Sequence, residues 1–382
     1  MADIGYNDNV QVANRKFHIQ TASNIGKGLA RCEVFEAGQV ISTHEIEFER
    51  RRISRNELLE QRVRDIVSDL HKDTIQEIEI IFQISQKIKK LKHAPSNVKL
   101  GMIFLHNNLI KDSIEQFEQA LQIDPQSTDA INGLAIANIK LNNNKKAIQL
   151  LSKALDLGSK FADIYHNLGL AYLNEKQYAL SLKNLQQALR INPNYMQAHY
   201  NLAIMYLESV LIDRGDETLP PPSIRLERAQ QQFNKLKQAE IKAFMSIAGK
   251  VEKAVENQEI EKAAKILVEN RDNIFPVEIL SLIGMDFYLK FMYGGKGLNR
   301  EITQKFERRL LEAVEEHPDY ADLWNNLGIV HLIQCRNLFL QALTEFDKAL
   351  EINPSFEKAL KNKKLVENDG KEFLILLRAI LK

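Results

Sequence analysis

The 382-residue sequence predicts a mainly α-helical chain: an α-solenoid of stacked helical hairpins, preceded by a small N-terminal antiparallel β-meander. Three observations predict it. One 34-residue pattern runs without a gap over 94–127, 128–161 and 162–195, a period that marks stacked units. Asn192-Pro193 and Asp124-Pro125 close two periods, where proline removes a donor and turns the preceding residue away from helix. Before residue 50 the period changes to two, the spacing of half-buried strands.

In the N-terminal segment Val10 and Val12, then Phe17 and Ile19, then Cys32, Val34 and Val40 alternate with polar neighbours. Turn signals at Asn14-Arg15, Gly26-Lys27-Gly28 and Ala37-Gly38 divide the segment into about four strands. A module of about 40 residues buries too little to stand alone. The stretch from 54 to 92 is its nearest partner, with Leu59, Val63, Ile66 and Leu70, then Ile78, Ile81, Ile84, Ile88 and Leu91 at helical spacing. That stretch reads as one long helix or as two joined near Lys72-Asp73. Its seam either packs on the meander and first repeat or supports self-association as a coiled coil.

Each period then reads as two antiparallel helices. In the clearest one Tyr165, Leu168, Gly169 and Tyr172 mark the first helix, and Leu185 and Ala188 the second. The small residues sit where helices cross, because a longer side chain would push the backbones apart. One earlier period carries Leu134, Ala135, Ala147, Leu151 and Ala154; the first carries Leu100, Gly101, Phe104, Phe117 and Ala120. One pair cannot bury its apolar face alone, whereas three or more stacked pairs can.

These residues resemble the tetratricopeptide repeat family, which implies helix-turn-helix units and a protein-binding role. A fourth unit begins at 196 (His199, Leu202, Ala203, Tyr206), and another is expected over 321–356 (Trp324, Leu327, Gly328, Ala342, Phe346, Ala349, Pro354). Departures are Asn138 in an aromatic position, and Ser113 and Ser181 in place of alanine. The fourth unit holds about 14 extra residues around Pro220, Pro221 and Pro222, and the last about two near Cys335–Asn337. Between 240 and 320 only Ile283, Gly284, Phe287, Ala313 and Pro318 suggest one irregular unit. The Val12–Glu36 region (FHIQT, then VFEAG) is similar to a small module preceding helical repeats in some bacterial proteins of unsettled function. The expected organisation is a β module over 1–52 and a helical connector over 53–93. Repeats follow over 94–240 with an insertion near 212–223, then irregular helices over 241–320 and a final unit with a capping helix over 321–382. Five to seven units are expected in all.

Composition narrows the function. With 51 Lys and Arg against 50 Asp and Glu, no net field attracts nucleic acid or an anionic membrane. Two distant cysteines, Cys32 and Cys335, argue for a reducing compartment. No secretion signal and no apolar run long enough to span a bilayer is visible, so a cytoplasmic protein is expected. The glycine clusters 24–28 and 294–297 lack phosphate-loop spacing and read as turns. His331 and Cys335 lie four apart on a helix, two ligands short of a site. His18 and His44 fall on strands. The arginines between 50 and 64 interleave with Glu49, Glu57, Glu60 and Asp65 as helix ion pairs do. No catalytic residue, cofactor site or metal site is expected.

A protein or peptide partner is expected instead. The family resemblance implies that first helices line a concave face. Asn167, Asn201 and Asn326 each precede the Leu of the Leu-Gly or Leu-Ala step, with Lys99 and Gly133 in the equivalent places. An asparagine there either bonds the backbone of an extended peptide, as in several tetratricopeptide proteins, or satisfies local groups. Beside them run Met102, Leu105, Ile136, Ile139, Leu170, Leu173, Ile204 and Leu207, some core and some available to apolar anchors. Lys99 and Lys140 make no matched basic clamp. The apolar segment Phe373–Leu381 reads as a cap, or as an element inserting into a groove. Self-assembly through it or through the connector is the alternative function.

Overall fold

The computed structural model describes residues 3–48, 56–212, 218–275, 285–286, 288–290, 292–293, 300–316 and 321–380. The chain divides into two compact units, one formed by 1–32, 45–90 and 279–382 and the other by 33–44 and 91–278.

The meander is present as one four-stranded antiparallel sheet in sequence order: β1 Gly5–Val12, β2 Arg15–Asn24, β3 Leu29–Glu36 and β4 Gln39–Glu47. Two of its turns are two-residue hairpins with both residues at positive φ: Ala13 and Asn14 at 53° and 62°, Ala37 and Gly38 at 49° and 79°. That geometry matches the strand twist. Gly28, at φ 69°, is required for space as well, since a Cβ would lie 2.9 Å from the Phe48 carbonyl oxygen. Phe17, Ile19, Thr21, Ala30 and Cys32 alternate onto one fully buried face.

The connector is a single helix, α1 Asn56–Leu91. Lys72-Asp73 does not break it, because neither residue bars helix and buried residues continue past it at 67, 70, 74, 78 and 81. Its seam packs on the sheet. Phe82 stacks on Phe17 with centroids 5.2 Å apart, and Arg15 lies over Phe82. Thr21 Oγ1 and His71 Nδ1 are 2.8 Å apart, and His71 Nε2 reaches Asp8 Oδ2 at 2.9 Å. In the same unit Lys290 Nζ joins Glu77 Oε2 of α1 (2.5 Å) and Asp286 Oδ2 (2.8 Å), and Lys305 pairs with Asp73.

The second unit holds the repeat hairpins: α2 Ala94–His106 with α3 Ile110–Ile123, α4 Thr128–Lys140 with α5 Asn144–Asp156, α6 Ala162–Asn174 with α7 Tyr178–Ile191, and α8 Met196–Ile212 with α9 Pro222–Gln238. Each of the first three turns at a left-handed residue, Asn108, Asn142 and Lys176, all at φ 58°. The next amide closes the helix end by bonding back five residues: Leu109 to Phe104, Asn143 to Asn138, Gln177 to Tyr172. The crossings are tight. A Cβ on Gly101 would come within 2.7 Å of the Phe117 ring, and Gly133 faces the same ring from α4. The departures from the repeat pattern are largely accommodated. Asn138 donates to Leu134 O at 2.7 Å and Ser181 Oγ to Gly169 O at 2.8 Å; Ser113 Oγ is buried without a partner among the described residues.

A further hairpin, α10 Lys242–Glu256 with α11 Ile260–Ile274, follows. It uses the same turn chemistry, with Gln258 at φ 60° and Glu259 N bonded to Ala254 O. Ile283, Gly284, Phe287, Pro318 and the glycines at 294–297 lie outside the described residues.

The expected hairpin over 321–356 is not formed. Residues Ala321–Ile352 are one continuous helix, followed by Glu357–Ile380. The stretch 331–341 has neither glycine nor proline and no residue in the left-handed region. At Gly328, where a partner helix should cross, an added Cβ would meet nothing within 4 Å among the described residues. The first turns of this helix instead pack on Arg300–Glu316 through Leu310, Val314, Leu323, Leu327 and Val330. Ile375, in the apolar terminal segment, is exposed.

Candidate functional site

The first helices α2, α4 and α6 place equivalent residues in rows, and exposure along one row identifies the accessible part. Met102, Ile136 and Leu170 are each partly exposed, whereas Ile204, next in the row, has 0 % exposure. The cause is α11, which packs along α8. Tyr200 Oη donates to Leu267 O at 2.6 Å, and the Tyr200 ring meets Phe275 edge-on at 5.4 Å. Every residue from 198 to 207 is therefore buried. Ile204 and Leu173 (1 % exposed) are core residues, enclosed by their neighbours rather than offered to a partner. Leu105 and Leu207 are buried too, and Ile139 is partly exposed.

A polar chain crosses the same face. Asn201 Nδ2 donates to His166 Nε2 (2.8 Å), and His166 Nδ1 to Asn167 Oδ1 (3.1 Å). Asn167 Nδ2 donates to Asn132 Oδ1 (2.9 Å), and Asn132 Nδ2 to Asp163 Oδ2 (2.7 Å). All four donors point towards the Asp163 carboxylate, an order that polarises successive bonds in the same sense. The order also requires a neutral imidazole, donor at one nitrogen and acceptor at the other. Burial holds His166 down at about 4, against the raising effect of its Asn167 bond. Burial likewise raises the Asp163 carboxyl, opposed by the Ile164 amide and Asn132. The structure thus joins Asn167 to Asn201 through His166, a residue that sequence reasoning did not select. Asn132, one place before the equivalent Gly133, supplies the missing rung. Asn201 Oδ1 is buried without a partner among the described residues. Asn326 is partly exposed on the 321–352 helix of the other unit and takes no part in this chain.

His331 Nε2 lies 3.2 Å from Glu307 Oε1, with Cys335 a free thiol. Among the described residues no three His, Cys, Asp or Glu residues are grouped to hold a metal ion. The Thr21–His71–Asp8 string has the residue types of a nucleophilic triad, but Thr21 is fully buried, so its hydroxyl fastens the sheet to α1. The glycine stretch 25–28 is a turn. No described helix is long and apolar enough to cross a membrane.

Two tetratricopeptide-repeat family models match residues 105–169 and 162–195. No curated protein sequence matches. Among solved structures, YrrB, described as a tetratricopeptide protein with an unusual peptide-binding site, is 19% identical with a TM-score of 0.35 and covers 52% of this chain and 95% of its own. PilF of Pseudomonas aeruginosa is 17% identical, TM-score 0.36, over 60% of this chain and 95% of its own. A tetratricopeptide protein of Thermus thermophilus is 15% identical, TM-score 0.32, over 63% of this chain and 100% of its own. Likenesses this distant carry no functional argument. The 34-residue period, the closed hairpin turns and the small residues at the crossings agree with the two family matches: this chain carries tetratricopeptide repeats over residues 105–195, together with a small N-terminal β module.

Proposed function

We propose that the chain is a non-catalytic scaffold that holds a segment of a partner protein across the first-helix face of α2, α4 and α6. Tetratricopeptide repeats support a protein-interaction role in general. The observation that carries the particular reading is the row Met102, Ile136 and Leu170, three partly exposed apolar side chains at the same place in successive repeats. Such a row suits apolar anchors spaced along an extended chain or one helix face. The Asn167–Asn132 bond links α6 to α4, two of the helices that carry the row.

The test is a double variant, Met102→Glu with Leu170→Glu. Both glutamates can extend their stems towards water, so the melting temperature is expected to stay within a few degrees. Affinity for peptides selected from a random dodecapeptide library on the wild-type protein is expected to fall at least about tenfold. Unchanged affinity would place binding elsewhere.

A second reading, self-association, is favoured by one observation. The 321–352 helix exposes Trp324 (52 %), Leu338 (61 %) and Ile352 (86 %), and Phe356 follows it. Large apolar groups clustered on one element mark interaction surfaces more often than scattered ones do. Light scattering over a hundredfold concentration range decides it, since a monomer throughout would exclude assembly through this helix.

A further inference from the structure

We infer that Arg271 on α11 is the receptor for a carboxylate on a Glu or Asp side chain of the partner segment, bound beside the Met102–Ile136–Leu170 row. The inference rests on the peptide-holding reading above and deepens it.

Arg271 lies one turn beyond Leu267 and one turn before Phe275, both of which meet Tyr200 of α8. It therefore shares the face of α11 that covers α8. Its Nε is buried and has no hydrogen-bond partner among the described residues. The nearby carboxylates are spoken for or turned away. Glu208 is held by Lys176 at 2.7 Å, and Asp272 is exposed on the adjoining face of the helix. Burial pushes the guanidinium down from its ordinary value, with Tyr200, Asp272 and Glu208 opposing. The same charge helps to hold His166 neutral, which places Arg271 beside the α6–α8 polar chain.

A buried guanidinium whose Nε finds no acceptor is costly, and removing it commonly stabilises a fold. A ligand carboxylate would recover that cost through charge-assisted bonds. Position supports the assignment. Leu170 is one turn from His166, and α11 occupies the place that a fourth exposed member of the row would otherwise hold. A segment lying along the row reaches α11 next. The local charge favours a single carboxylate over a phosphate, because one arginine faces it with Glu208 close by. A side chain fits better than a chain terminus. The guanidinium is largely buried, so a terminal carboxylate would draw peptide N–H groups in with it, whereas glutamate delivers charge on a methylene stem.

The test compares wild-type protein with Arg271→Met. Peptides are selected from a random dodecapeptide library on the wild-type protein, then synthesised with both ends capped. Each acidic residue is changed singly to its amide. One acidic position is expected whose loss costs wild-type binding at least about tenfold and the Arg271→Met variant less than twofold. The variant is also expected to melt no lower than wild type, a result that a structural arginine would reverse. Peptides that bind with no such position, or with a loss that persists in the variant, overturn the arginine assignment and leave the scaffold reading standing. Binding that requires an uncapped C-terminus overturns the side-chain assignment. Selection of no peptide at all removes both.

Discussion

Tyr200 on α8 donates its phenolic hydrogen to the carbonyl oxygen of Leu267 on α11, 2.6 Å away, inside the core of the repeat unit. That bond fastens the hairpin whose second helix covers α8, and so it sets where the accessible first-helix face ends. Tyr200→Phe keeps the ring packing against Phe244 and Phe275 and leaves the Leu267 carbonyl with its helical bond within α11 alone. A loss of about 0.5–1.5 kcal/mol is expected. Urea denaturation measures it, and amide exchange should quicken first in α11.

The Phe117 ring fills the space between Gly101 and Gly133. Gly133→Ala should therefore cost about 1–3 kcal/mol through overpacking. Gly328→Ala is the control. It meets no described atoms within 4 Å in the interior of a helix, so it should stabilise by about 0.5–1 kcal/mol. Equal effects at both sites would mean that the glycine crossings are not close-packed.

Asn167 occupies a position that reads as surface in sequence, yet it bridges Asn132 and His166. Asn167→Ala is expected to lower stability by about 1–3 kcal/mol in addition to any effect on a partner. Denaturation without ligand separates the two contributions. A stability unchanged from wild type would show that the string adds nothing to the fold.

The neutral His166 sets a pH dependence. Its value is about 4 in the fold and about 6.5 when unfolded. Above the unfolded value neither state binds the proton. As pH falls from there the unfolded state gains a proton first, and stability declines until the folded group also titrates. The full effect is up to about 3 kcal/mol. Asp286, pushed up to about 6 by burial and by Glu77, has the opposite sign in an overlapping range. The measurement is therefore a difference: wild type should lose more stability than His166→Gln between pH 7 and pH 4.5.

Lys290 is bound by both Glu77 and Asp286 with little exposure. Lys290→Met removes the cation shared by two buried or half-buried carboxylates, and a loss of about 3–5 kcal/mol is expected. Adding Asp286→Asn should restore part of it. Guanidinium denaturation of the two variants checks both statements.

Whatever repeats or alternates locally was legible in the order of residues alone. The period of 34 located the hairpins from 94 to 195, because each unit restates the same crossing residues and the same turn. Alternation located the meander, because strand side chains take opposite faces in turn. Met102, Ile136 and Leu170 were legible as one row for the same reason. The tertiary structure decided everything that depends on what arrives from elsewhere in the chain. Ile204 has the same local pattern as its partly exposed counterparts Met102, Ile136 and Leu170, and the arrival of α11 buries it. Trp324 to Pro354 carries the repeat's residue types, yet with no left-handed turn and no described helix crossing at Gly328 the segment continues as one helix to Ile352. Asn132, His166 and Arg271 had no signature at all, since hydrogen-bonded strings and buried donors left without an acceptor arise between helices that only packing brings together.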